Sequence, residues 1–515
     1  MFSVIYFNKA ISKNFQDVLK FAFVCLIFGH FLLREFMPSP IVGAVGGGIL
    51  FLILFYVLCH KRDVFGFILI VFICCHFAYA ESQGGLWNLL AFGLILIYYF
   101  TGKPIKRLGN SDFTMNSLLL ALVISNLVGW ILRNEMTGAP YFLGIFSFLG
   151  MLLCYILMSR VVITPERVKV LLYTLCAMMI TMFVVAMNQR FEIVTLNTPL
   201  LGSYSADGLG QISAGSIRAT SSLRHSELFG EYSMLMITLA IPLIVSNMTQ
   251  KFLKLRKGLV FWLLLFALFN VLLSGTRSAF LLVILTGIVY TTFFLVIPIA
   301  IVDARRKYIS YILIILTFLS VVGTSVGLES TLTRLERTIS DRSSITVTDI
   351  TSGEAINRGP LFLMGMQRIS SDNWLVGYGS GIPLNNYNAL FNGRSTIYSD
   401  FHSLYFALPI IYGWVGAFAY LGIILVILLR LIKIMISHRK TKHYLMPLII
   451  GLSLFWILLL ADQFKISILR MMNYQMLVWV FLGLSSAVIR TFQLNLPSTA
   501  VAKPRDTALR RNIAV

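Results

Sequence analysis

Long apolar runs, recurring from one end of the chain to the other and separated by short blocks of basic residues, are the strongest constraint on this fold. Each run approaches the roughly 20 residues a helix needs to cross a bilayer. Spans are predicted near 18–33, 41–59, 64–80, 86–100, 114–132, 141–158, 168–187, 228–245, 258–274, 279–302, 309–326, 403–429, 445–461 and 475–489. The predicted fold is therefore an all-α, polytopic membrane protein of about fourteen transmembrane helices. Composition agrees. Of 515 residues, 58% are hydrophobic and 12% charged, whereas a soluble domain carries roughly 25% charged residues. Only the first apolar run stands where a signal peptide would, and it lacks a small-residue cleavage site, so it is expected to remain as an anchor.

The net charge of +21 would suit a nucleic-acid binder if it were spread over a surface. Here the basic residues sit between apolar runs, as topology signals do, and no nucleic-acid partner is expected. With the N-terminus inside, the inner connections hold His60-Lys61-Arg62, Lys103 to Arg107, Arg160 to Lys169, Lys251 to Lys257, Arg305-Arg306-Lys307 and Arg439-Lys440-Thr441-Lys442. The basic tail with Lys503, Arg505, Arg510 and Arg511 also falls inside. A flipped chain would put these clusters outside.

The division predicted is helices 1–11 over residues 1–326, with an outward loop at 188–227; a large outward loop at 327–402; helices 12–14 over 403–489; and a basic cytoplasmic tail at 490–515. Lys465 is the only outward lysine, while the other outward basic residues are arginines. Arginine offers a planar fork that grips phosphate or carboxylate at two points. The large loop also carries Glu329, Glu336, Asp341 and Glu354. An anion site there must come from selected arginines, not from bulk charge. Segment 361–374 reads as a surface helix.

Other chemistry finds little support. The six cysteines, Cys25, Cys59, Cys74, Cys75, Cys154 and Cys176, lie in or beside apolar runs without metal spacing and read as packing residues. No phosphate-binding GxxxxGK[ST] loop and no zinc pattern occurs. No metal or cofactor is expected. A secondary transporter needs ionisable groups near mid-membrane. The spans offer chiefly His30 and His76, with Glu231 and Asp462 near the outer boundary.

Three elements carry the predicted chemistry. Leu272-Leu273-Ser274-Gly275-Thr276-Arg277-Ser278-Ala279 joins two spans at the outer boundary, where a charge beside hydrocarbon is costly and usually functional. Arg358-Gly359-Pro360, then Arg368, Trp374 and Gly377-Tyr378-Gly379-Ser380-Gly381, lie in the large loop. The glycines allow close approach of a ligand to the backbone. Asp400-Phe401-His402-Ser403 and Tyr412-Gly413-Trp414-Val415-Gly416 open the next span, and an imidazole at that edge can take a proton at neutral pH.

In this order, over about residues 228–429, the elements resemble those of the bacterial O-antigen ligase and O-antigen (Wzy-type) polymerase superfamily. The chain departs from that pattern in having more than about twelve spans and Ser403 in place of an Asn after the histidine. The resemblance implies a GT-C-like, metal-independent, inverting glycosyltransferase of the bacterial inner membrane, working on the periplasmic face. Its donor would be an undecaprenyl-diphosphate-linked glycan. Its acceptor would be a second lipid-linked repeat in a polymerase or the lipid A core in a ligase; membrane lipids and a chain-length regulator are the other expected partners. Carried over, Arg277 and Arg358 would hold the diphosphate and His402 would act as base. Arg368, Arg224, His225, Gly377 and Gly379 are the weaker substrate-binding candidates. Chain length and the second outward loop favour the polymerase. A lipid-linked sugar flippase and a non-catalytic assembly scaffold are the readings from other classes.

Overall fold

The computed structural model describes residues 64–76, 92–93, 96, 112–132, 139–191, 212–213, 216–217, 219–223, 226–250, 257–296, 375, 377, 379–380, 403–464, 469 and 472–495, with only the backbone at some helix ends and at Arg277. Within these residues the protein is a bundle of α-helices: α1 (Val64–His76), α2 (Phe113–Leu132), α3 (Ala139–Ser159), α4 (Pro165–Phe191), α5 (Ser226–Gln250), α6 (Lys257–Ser274), α7 (Arg277–Val296), α8 (Leu404–Ser437), α9 (Met446–Asp462) and α10 (Met472–Asn495). A single-turn 3-10 helix covers Ser221–Leu223. One antiparallel pairing, Ile212–Ser213 with Ser216–Ile217, departs from the expected all-helical chain. The expected spans 18–33, 41–59 and 309–326, most of 86–100, segment 361–374, nearly all of the 327–402 loop and residues 496–515 of the basic tail lie outside the described residues.

Among the described residues, five segments are long and apolar enough to cross a membrane: Phe113–Leu132, Pro165–Phe191, Ser226–Ser246, Leu404–Ser437 and Tyr474–Asn495. α2 shows why such a helix belongs in lipid. Met115, Leu119, Leu122, Ser125, Asn126 and Gly129 follow helical spacing and form its buried face. The opposite face exposes Leu120, Ile124, Ile131 and Leu132. In water such a face would be an aggregation surface, but against acyl chains it costs nothing. The protein is a membrane protein on this ground.

α5 is the central post, buried along nearly its whole apolar length. It packs against α6, α7 and α9. Backbones come close where side chains are small: Gly451 of α9 sits against Leu239 and the Thr238 carbonyl. Tyr290 of α7 donates to that same carbonyl at 2.6 Å. On the other side, α10 packs against α3, with Gly483 facing Met158 and Trp479 meeting Phe148, Tyr155 and Tyr420 edge-on.

α8 runs along α2. Gly416 and Gly422 admit Ser125 and Leu118, the small-residue packing expected between helices in lipid. At one end Arg430 pairs with Asp112, which also caps the start of α2 through Met115 N–H at 3.4 Å. Pro409 and then Gly413, at φ +65, kink α8.

Candidate functional site

The turn between α6 and α7 is built from small residues that bond to one another. Gly275, at φ +58, reverses the chain. Ser274 Oγ donates to the Val271 carbonyl at 2.7 Å and accepts Thr276 N–H at 3.2 Å. Thr276 Oγ1 donates across to the Ser226 carbonyl at 3.0 Å, which ties the turn to the first residue of α5. Gly230, one turn further along α5, leaves room for Ser274, Thr276 and Ala279. Arg277 is the first residue of α7, so its backbone is held within one residue of that tie.

The segment that leads into α5 is strapped to the same place. Gln189, buried near the end of α4, accepts the backbone N–H groups of Thr220 and Ser221 on its single Oε1, at 3.0 and 2.7 Å. Ser221 adopts φ +50 and its hydroxyl donates to the Met182 carbonyl at 2.9 Å. Ala219 N–H reaches the Leu273 carbonyl at 3.1 Å. The chain therefore has fixed points at Leu223 and Ser226, on either side of Arg224 and His225, which themselves lie outside the described residues.

A second polar knot joins α5, α8 and α9. Gln463, just past the end of α9, donates from Nε2 to Glu231 Oε1 at 2.8 Å. Its backbone carbonyl accepts Leu404 N–H at 3.0 Å and Ser403 Oγ at 3.3 Å. Glu231 and Gln463 are both 0% exposed. Tyr405 O–H adds a bond of 2.7 Å to the Leu460 carbonyl. Ser403 thus turns its hydroxyl to α9 instead of capping α8.

The glycine-rich turn of the large loop sits elsewhere on α8. Gly379 N–H donates to the Ile411 carbonyl at 2.7 Å, in the stretch where Gly413 breaks the helical ladder. Gly377 lies on the Ile411 and Gly413 backbone, and a Cβ on Gly129 of α2 would come within 2.6 Å of the Gly377 carbonyl. Asn126 holds the turn from both sides: Nδ2 donates to Ser380 Oγ at 2.9 Å and Oδ1 accepts Ser380 N–H at 2.6 Å. Ile411 is roughly 12 Å of helix along α8 from Ser403.

The structure therefore brings the Thr276-Arg277 backbone, Ser226, Glu231, Gln463 and Ser403 to the start of α5. It sets Gly377 and Gly379 on the α2–α8 seam. Arg358, Arg368 and His402 lie outside the described residues, although His402 directly precedes Ser403. Gln189, Asn126 and Gln463 give no signal in the sequence beyond a lone amide in or beside an apolar run. Glu231 stands out in the sequence as an acid near the outer boundary, and the structure pairs it with Gln463. Among the described residues, no group of three or more His, Cys, Asp or Glu side chains could hold a metal ion.

No curated protein matches the chain. A family model described as O-antigen ligase matches residues 262–421, from α6 through the hairpin turn, α7 and the glycine turn to the kinked first half of α8. The hairpin turn, the glycine turn and the kink of α8 all fall inside this segment, which is similar to the O-antigen ligase family.

Proposed function

We propose that this protein polymerises undecaprenyl-diphosphate-linked oligosaccharide repeats into a surface polysaccharide, at the periplasmic face of the bacterial inner membrane. The observation that carries the proposal is the segment 262–421 with its hairpin turn tied to α5. The full topology has about fourteen spans and an inside N-terminus, with outward loops at 188–227 and 327–402. The parity of the described helices supports it: α4, α6 and α9 end, and α5, α7 and α8 begin, around one polar cluster.

In this reading the guanidinium groups of Arg277 and Arg358 grip the lipid diphosphate and stabilise the charge it gains as the glycosidic C–O bond breaks. Arg368, Arg224 and His225 add contacts to the glycan or diphosphate. His402 takes the proton from the acceptor hydroxyl as that oxygen attacks the opposite face of the sugar carbon, which inverts it. The glycine turn at Gly377 and Gly379 brings backbone close to the headgroup. The loop over the site keeps water from competing as acceptor.

A ligase reading has its own support in the description of the matching family. There the acceptor is the lipid A core and the chemistry is unchanged. Deletion followed by a gel of the surface polysaccharide separates the two. A single repeat left on the core means polymerase, whereas polymer stranded on the carrier lipid means ligase. His402→Ala at matched expression should lower transfer by about 10²–10⁴-fold. Arg277→Lys should also be damaging, because it loses the bidentate fork. Near-normal activity of His402→Ala would remove the proposed base.

A further inference from the structure

The polar knot at Gln463 does more than join three helices. A carboxylate and an amide, both fully buried at the level of a membrane span, are an expensive fastening, because each must be stripped of water. Apolar side chains of the same volume would join α5, α8 and α9 at less cost. What apolar contacts would not supply is direction. Three bonds converge on Gln463, two on its backbone carbonyl and one from its amide. Together they hold Ser403 and Leu404 at a fixed point on α5.

That point is shared. Gly230, the residue before Glu231, packs against the hairpin turn. Ser226, one turn earlier, accepts the bond from Thr276. One short stretch of α5 therefore sets two things at once, the residue that precedes Arg277 and the residue that follows His402. Ser403 is the chain neighbour of the proposed base, and consecutive Cα atoms are about 3.8 Å apart.

We propose that Glu231 is a positioning residue for glycosyl transfer, acting through Gln463 and Ser403 to hold the base in register with the hairpin arginine. The proposal rests on the transferase reading, and Glu231 itself neither touches substrate nor moves a proton in it. Its carboxylate serves as a hydrogen-bond acceptor for the Gln463 amide. A neutral amide oxygen at the same place serves nearly as well.

The test uses full-length protein in lipid nanodiscs, with an undecaprenyl-diphosphate-linked oligosaccharide as donor and acceptor. Glu231→Ala and Gln463→Ala should lower kcat about 10–100-fold, the scale of a misplacement near 1 Å, with KM within about threefold. Glu231→Gln keeps an acceptor oxygen and should rescue most of kcat. Hydrogen exchange of the Leu404 amide, which donates to the Gln463 carbonyl, should quicken in both alanine variants and stay slow in Glu231→Gln. Near-normal kcat in Glu231→Ala overturns the proposal. So does a Glu231→Gln variant as inactive as Glu231→Ala, a loss confined to KM, or unchanged Leu404 exchange in the alanine variants. Exchange needs no turnover. A wild-type chain that transfers no glycan would defeat the transferase reading, while the exchange comparison would still decide the link through Gln463.

Discussion

Replacing Gly230 with alanine tests whether the hairpin turn is held at a distance that matters. A Cβ there would lie 2.7 Å from Ser274 Oγ, 2.9 Å from Ala279 Cβ and 3.1 Å from Thr276 Cβ. Ordinary carbon contacts lie at about 3.5–4.0 Å, so α5 and the turn must part by roughly 0.6–1 Å. Ser274 offers no easy escape, because its hydroxyl is committed to Val271 and Thr276. Overpacking of this kind costs about 1–3 kcal/mol. Alanine returns up to about 1 kcal/mol of helix propensity, so the stability change should be small. Transfer should suffer far more. A displacement near 1 Å between the turn and the rest of the site corresponds to about a 100-fold loss. The assay is glycan transfer by purified protein, with thermal unfolding on the same sample. Gly287→Ala on α7 is the control: nothing lies within 4 Å of its Cβ position, so transfer should be unchanged. Transfer by Gly230→Ala within threefold of wild type would refute the reasoning, as would a loss matched by loss of folded protein.

Asn126→Ala severs both bonds to Ser380, worth about 1 kcal/mol each. It should speed proteolysis near residues 375–380 and lower transfer, with Asn126→Asp milder because it keeps the acceptor for Ser380 N–H; cleavage rates equal to wild type would contradict this. The hydrogen bond from Arg430 holds the Asp112 carboxyl below its ordinary value of 3.8. A depressed value in the folded protein stabilises at pH above the ordinary value and is lost as pH falls through the folded one. The pair is partly exposed, so the effect should be under about 1 kcal/mol. Thermal unfolding of Asp112→Asn should therefore lose less stability than wild type between pH 7 and pH 3, and equal losses would count against the pair. Transfer should survive EDTA, and activity that dies in chelator and returns with Mg²⁺ or Mn²⁺ would contradict a metal-free site.

Much of the helical framework was legible because lipid demands long apolar runs and helices satisfy their own backbones. The expected spans 114–132 and 445–461 differ by a residue from α2 and α9. At the ends of α8 and α10, where expectation and structure part, charge is the reason. The expected span at 403–429 stops before Arg430, yet α8 continues to Ser437, because the pair with Asp112 lets a charged residue remain in the helix. Likewise α10 continues to Asn495, past the expected limit of 489, so Arg490 belongs to the helix and not to the tail. Hydropathy marks where apolarity ends, whereas a helix ends where its hydrogen bonds do.

The site was legible in one respect and opaque in another. Gly275, Gly377, Gly379 and Gly413 stand out in sequence, and Gly275, Gly379 and Gly413 adopt positive φ. The residues that fasten the site do not stand out, because each is a single amide: Asn126 holds the glycine turn, Gln189 the strapped segment and Gln463 the start of α8. A lone Asn or Gln in or beside an apolar run carries no period and no motif. Its meaning comes from polar groups on another segment that would otherwise be buried without a partner: the Ser380 N–H and hydroxyl for Asn126, the Thr220 and Ser221 N–H groups for Gln189, and the Glu231 carboxylate for Gln463. Asn126 and Gln189 lie before residue 262 and Gln463 after residue 421, outside the family-matched segment. That segment supplies the arginine turn and the kinked helix. The rest of the chain supplies the amides that fasten them, so the geometry of the site belongs to the whole bundle.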